Sequence, residues 1–279
     1  MNVLVLLYKE WLQWLLSFSI ILFIAASFFF FTLLLISRCN KIVQQKSEAR
    51  LSALLDNVLF SILFVDKPIH KLLESKNYQT FFKKKRHRKK LLHSIIKLHA
   101  NYSGIYNLRL EEFYRKSGLI NVSFGKLRSN SWPLKCEGIR ELSQMHIKEA
   151  FSDIHKCIWH KENTLRLEGL LGLIRLEGLE GLTVLIDYAH PINDWIQLNV
   201  LYEIDNSNLT TVKDFSNFLT SENESVVLLG LRLIAKFNQI QNIDQIRKIQ
   251  KSNASSKVKQ QAERALEMLP AAALYTSNR

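Results

Sequence analysis

From about residue 101 the chain repeats with a period of roughly 31 residues, which constrains the fold more than any single motif. The units align on Asn107, Gly138, Gly169, Asn199, Gly230 and Ala262, at intervals of about 30–32 residues. All six anchors are small or short. Four positions earlier stand Ser103, Leu134, Leu165, Trp195, Val226 and Val258; one position later stand Leu108, Ile139, Leu170, Val200, Leu231 and Glu263. Apolar residues also dominate at offsets +4 and +7, and these offsets share one helical face. Each unit is therefore expected to open with an amphipathic helix whose small anchor lets a neighbour approach closely.

The rest of each unit leaves room for a turn and a second, shorter helix. Candidates are residues 151–160, 181–190, 209–219 and 243–251. Pro133 and Pro191 sit where first helices should start, a favoured place for proline. Asn163, Ser221 and Ser255 suit N-cap positions. A lone unit cannot bury its apolar stripe, whereas stacked units share one core. Nine glycines and four prolines also exclude collagen-like and turn-dense all-β designs. The expectation is an all-α chain with an α-solenoid of about five to six helix pairs over residues 101–269, followed by a tail at 270–279.

This pattern, on those residues, resembles the HEAT-repeat family, in particular the short HEAT-like repeats of bacteria. The resemblance covers residues 101–269. It is weakest at the first unit and at Asn199, where Glu203 and Asn206 interrupt the stripe and Ile204 substitutes. The sequence Arg166-Leu-Glu-Gly-Leu-Leu-Gly has a near copy that starts at Arg175. It lacks the continuation that a leucine-rich repeat requires. Close helix contact at Gly169, Gly172, Gly178 and Gly181 is its expected use.

Ahead of the repeats, no residue between Glu10 and Arg38 is ionisable, an uncharged run of about 27 residues that is long enough to cross a bilayer. As a helix it would measure about 40 Å, against roughly 30 Å of bilayer hydrocarbon. Trp11 and Trp14 mark its first end, where indoles favour the interface. The run is too long for a signal peptide, and Arg38 before Cys39 disqualifies a lipoprotein site. A transmembrane helix is expected at 11–37, after a short extracytoplasmic N-terminus at 1–10. Arg38, Lys41, Lys46 and Arg50 outweigh Lys9 on the other flank, so the C-terminal side is expected in the cytoplasm. That places the chain in the cytoplasmic (inner) membrane as a single-pass protein.

Residues 38–100 read as a helical connector. Leu51, Leu54, Leu55, Leu59, Ile62 and Leu63 have helical spacing, and Val65 to Pro68 ends the pattern. The connector carries a cation run: Lys83, Lys84, Lys85, Arg86, His87, Arg88, Lys89 and Lys90. Residues 1–100 hold 16 Lys/Arg against 5 Asp/Glu, and residues 101–279 hold 22 against 20. The formal net charge of +13 therefore resides mostly ahead of the repeats, which argues against a nucleic-acid groove along them. The run reads as a solvated helix start, as a contact for anionic lipid headgroups or a partner, or as a nuclear-localisation or nucleic-acid patch, the last disfavoured by the membrane segment and by the lack of interleaved aromatics.

Signatures of catalysis are missing. The common phosphate-loop, dinucleotide, zinc-protease and hydrolase motifs do not occur. His146, His155, Cys157 and His160 fall in one unit, but His155 lies on a different helix face from Cys157 and His160, so a four-ligand set is not evident; Glu111-Glu112 and Glu137/Glu141 suit a charged helix surface. His190-Pro191 and Asp194-Trp195 read as a corner between units. Three cysteines exclude a disulfide scaffold. No catalytic, cofactor-binding or metal-ligating set is expected, and no cofactor.

The resemblance implies a membrane-anchored, non-catalytic scaffold binding protein partners at the cytoplasmic face. Single-pass proteins of this layout are similar to bacterial ones found beside glycosyltransferases of exopolysaccharide assembly. Other HEAT-like proteins are phycobilin lyases, so a lyase or cofactor-attachment chaperone is a second reading. A module that senses anionic lipid is a third.

Overall fold

The computed structural model describes residues 2–65, 68–207 and 213–269. All regular elements among the described residues are helical. The chain divides into two units, Met1–Asp66 and Lys67–Arg279.

The first unit is one helix, α1 (Asn2–Phe64), of 63 residues. At ~1.5 Å per residue it is about 95 Å long. The expected membrane segment and the amphipathic stretch at 47–64 are thus a single rod. The sequence explains the fusion: neither Gly nor Pro interrupts residues 2–64, and the polar stretch 38–46 contains no helix breaker. Within α1, Ser17–Phe64 is long and apolar enough to cross a membrane. Its aromatic side chains are uncovered, with Phe23 80% and Phe28 69% exposed.

The second unit begins with α2 (Ile69–Glu74), α3 (Lys76–Phe82) and α4 (Lys85–His99). It continues through α5 (Ile105–Lys116), α6 (Leu119–Leu127), α7 (Trp132–Gln144), α8 (Phe151–Cys157) and α9 (Asn163–Glu177). Last come α10 (Asp194–Asn206), α11 (Glu224–Lys236), α12 (Ile243–Lys251) and α13 (Ser256–Met268). Among the described residues four 3-10 segments intervene: Lys148–Ala150, Gly178–Leu185, Ser216–Thr220 and Ile240–Asn242.

Helices α7, α9, α10, α11 and α13 start at Trp132, Asn163, Asp194, Glu224 and Ser256, so the beat of the anchors is also the beat of the helices. Capping sets several of these starts. The side chains of Asn193, Asn223 and Ser255 accept hydrogen bonds from the N–H groups of Ile196, Ser225 and Val258. Asn163 is instead the first residue of α9, and Ser221 follows the Ser216–Thr220 segment. Pro133 occupies the first turn of α7.

Shorter elements alternate with these helices. Residues 151–160 contain α8, and 243–251 coincide with α12. Residues 181–190 fall instead on the end of a 3-10 segment, where Gly178 at φ 62 closes α9. Residues 213–219 of the 209–219 candidate contain another 3-10 start, while 209–212 and the tail at 270–279 lie outside the described residues. Packing follows chain order: α6 on α7, α8 and α7 on α9, α9 on α10, and α12 and α11 on α13.

The anchors show why the period exists. A Cβ on Gly138 would lie 2.6 Å from the backbone N of Leu127 and 2.9 Å from the carbonyl O of Ser123, both in α6. On Gly230 it would lie 2.5 Å from Phe218 Cβ, and on Gly169 2.9 Å from Ile158 Cγ2. Each glycine therefore seats its helix against the short element preceding it. Ala262 is fully buried on α13, which packs on α12.

Two anchors are displaced. On α10 the buried face is Ile196, Val200 and Ile204. Val200 holds the seat, while Asn199 turns outward and donates to the carbonyl O of Trp195 at 2.7 Å. The apolar alternation around Trp195 misleads by one residue, since that indole is exposed. Asn107 lies only three residues after the N-cap Gly104, because the chain turns there at φ 65. The buried face of α5 is Leu110, Phe113 and Tyr114, and Leu108 is exposed.

Gly138→Ala therefore overpacks the α6–α7 contact at a cost of ~1–3 kcal/mol, more than the ~1 kcal/mol that alanine gains as a helix former. Gly125, also helical, has open space for 4 Å around the point where a Cβ would stand. Gly125→Ala stabilises by about 0.5–1 kcal/mol. Denaturant unfolding followed by circular dichroism should move in opposite directions for the two variants.

Candidate partner-binding surface

The cation run straddles the start of α4. Lys84 is the N-cap, without a side-chain capping bond, and the first turn holds no acidic residue. Lys83, Lys84, Lys85, Arg86 and Lys89 are exposed; His87, Arg88 and Lys90 are half-buried. Leu91, Leu92, Ile95 and His99 bury the opposite face. Positive charge at a helix N-terminus opposes the helix dipole. The run therefore departs from what helix stability alone would select, and Lys83, Lys84, Lys85 and Lys89 stand exposed along it.

A second surface lies along α10, α11 and α13. Leu198, Leu201, Tyr202, Ala235 and Met268 line an open groove of about 780 Å³, with Asp205, Arg232, Lys236 and Gln261 contributing polar groups. Leu198, Tyr202 and Met268 are 66%, 68% and 65% exposed. The charged groups are fixed in place. Arg232 donates to Gln197 and to Asp194, each at 2.9 Å, and Lys236 pairs with Asp205. An uncovered apolar strip with ordered charges beside it has the make-up of a protein contact surface.

A polar ladder joins successive first helices. Arg140 on α7 donates to Glu168 on α9 at 3.3 and 2.5 Å. Arg175 on α9 donates to Glu168 at 3.2 Å and to Glu203 on α10 at 2.8 and 2.6 Å. Glu168 is almost wholly buried, and its hydrogen bonds hold the Arg140 guanidinium more firmly in its charged form. Between α10 and α11, Gln197 Nε2 donates to the carbonyl oxygens of Ile192 and Ser225. Asn223 Nδ2 donates to the carbonyls of Tyr188 and His190 at 2.7 and 2.8 Å, which fixes the His190-Pro191 corner.

The reactive residue types have structural partners. Lys126 binds both Glu137 (3.2 Å) and Glu141, and Ser123 donates to Glu141 at 2.7 Å. Glu112 pairs with Lys116 at 2.6 Å. Burial, followed by the charge of Glu168, pushes the Cys136 thiol up to about 11, and burial also raises Cys157. Neither thiol has the depressed pKa that marks a nucleophile.

The histidines and cysteine of one unit do not gather. Cys157 Sγ donates to the carbonyl O of Asp153 at 3.4 Å, His160 Nδ1 accepts from the N–H of Glu162 at 3.1 Å, and His155 stacks on Phe151. His146 meets His99 and Glu111 instead. Sequence reasoning misses that trio because its members stand far apart along the chain and on three different elements.

No protein-family model and no curated protein matches the chain. Among solved structures, the crystal structure of an engineered protein from the Northeast Structural Genomics Consortium aligns over 73% of this chain and 96% of its own, at 15% identity and a TM-score of 0.35. An overlap that loose assigns neither a fold family nor a function.

The ladder makes Arg175 the sensitive rung. Arg175→Met leaves Glu203 without its partner and Glu168 dependent on Arg140 alone. The expected loss is about 3 kcal/mol, the low end for breaking a buried pair, since Arg140 remains. Chemical denaturation of the full chain in detergent measures it.

Proposed function

We propose that this chain is a membrane-anchored, non-catalytic scaffold: a HEAT-like α-solenoid tethered by α1, with its helical units on the cytoplasmic side, binding a protein partner. The uncovered apolar strip Leu198, Tyr202 and Met268 carries this reading. A folded unit gains nothing from such side chains on its outside, whereas a partner surface does. Sequential packing of α7, α9 and α10, and of α11 and α13, supports the solenoid. Stacks of this kind offer extended surfaces without needing a catalytic pocket.

The anchor supports the membrane part of the reading. The exposed phenylalanines of α1 need an apolar surrounding, and a bilayer supplies one. Tethering raises the effective concentration of the groove for partners in the same membrane. Glycosyltransferases of exopolysaccharide assembly are the partner class that the HEAT-like resemblance favours. The exposed cations at 83–86 fit anionic headgroups at the membrane surface, each worth about 1 kcal/mol there.

Purification of the full chain from membranes in mild detergent tests the scaffold. Wild-type chain should retain a stoichiometric partner, and Leu198→Asp with Tyr202→Asp should lose it while keeping its helical spectrum. Equal recovery from both would remove the groove from the proposal. Cys39, exposed just beyond the uncharged run, reports orientation. It should resist a membrane-impermeant maleimide in intact cells and react after permeabilisation; labelling in intact cells would reverse the topology.

A further inference from the structure

Three side chains from separate elements converge inside the second unit. His99 is the last residue of α4, Glu111 lies on α5, and His146 follows α7. Their ligand atoms all lie within 4.8 Å of one another. His99 Nε2 is 2.8 Å from Glu111 Oε1, and the imidazole rings of His99 and His146 are 5.5 Å apart between centroids. The cluster is graded in depth: His99 is buried, Glu111 half-buried and His146 exposed.

The backbone at His146 adds an independent observation. Its φ is 49, in the left-handed region. The N–H of Ile147 donates to the carbonyl O of Leu142 at 3.0 Å and that of His146 to Ser143 at 3.1 Å, the bond pattern of a helix C-terminal cap. Glycine is the usual occupant of such a position, with asparagine next. Asn238 holds the equivalent place after α11, at φ 51. Capping uses only the backbone there, so it does not explain an imidazole directed at His99 and Glu111.

The donor set is chemically selective. Two imidazole nitrogens and one carboxylate oxygen suit zinc and its neighbours in the first transition row; calcium and magnesium favour all-oxygen shells. The local charge permits a cation. Arg115, close enough to feel the charge of Glu111, is itself paired with Glu149 at 2.6 and 3.2 Å.

We propose that His99, Glu111 and His146 bind one divalent transition-metal ion of the zinc class, with water completing the coordination on the exposed side. Metal coordination takes the place of the hydrogen bond between His99 Nε2 and Glu111 Oε1, with His99 in the neutral tautomer that carries its proton on Nδ1. The ion ties the end of α4, the middle of α5 and the turn after α7 together.

The test uses the full chain, purified in detergent without a histidine tag and stripped with a chelator. Titration with Co(II) should give visible d–d absorption saturating at one equivalent, and Zn(II) should abolish it. Zn(II) should also raise the thermal midpoint of wild type. Glu111→Gln and His146→Gly should each weaken binding at least ~10-fold, the lower bound set by losing even an outer-sphere partner. His146→Gly guards against misfolding, because glycine suits that φ; without metal it should melt no lower than wild type. No stoichiometric binding to wild type, or undiminished binding to His146→Gly, overturns the site.

Discussion

The second unit depends on close approach of α7, α9, α11 and α13 to the short element before each. At Gly138 there is no room for a side chain, because the backbone of Leu127 occupies that space. At Gly230 the Cβ of Phe218 does so. Dispersion is short-ranged, so such seats gain their energy only if the helices arrive in register. The recurrence of a small residue is therefore a spacing rule, and the apolar residues around it follow from the same contact.

Charge complements that packing. Glu168 accepts from arginines on its own helix and on the preceding first helix, while Glu203 extends the chain of contacts to α10. Buried ion pairs add little net stability over apolar groups, but breaking one is costly. The ladder thus penalises misregistered helices more than it strengthens correct ones. The apolar strip on α10 and α13 and the cations of α4 stand outside this logic. Leu198, Tyr202 and Met268 on the strip and Lys83, Lys84 and Lys85 of the cation run are exposed, which is why both enter the functional reading.

Much of the helical layout is legible in the sequence. The starts of α7, α9, α10, α11 and α13 reproduce the spacing of the anchors, and α12 has the bounds its periodicity implies. The exceptions have physical reasons. Counting aligns Asn199, but burial chooses Val200, because Trp195 lies on the outer side of α10. Counting also gives Asn107 a full unit, but the turn at Gly104 starts α5 late. Two expected second helices are 3-10 segments, which glycines at 178 and 181 and the short run at 216–220 allow. The His99, Glu111 and His146 cluster carries no local signal at all: its members meet only through tertiary packing.

The stacked arrangement is tested most directly by distances between equivalent points. The first residues of the five periodic helices, Trp132, Asn163, Asp194, Glu224 and Ser256, are all exposed and accept spin labels in pairs once Cys39 is replaced. Pulsed electron–electron double resonance on the full chain should give separations that grow steadily with the number of intervening units, Trp132 to Ser256 being the longest. A short distance between Trp132 and Ser256 would mean a closed globule and would contradict the stack.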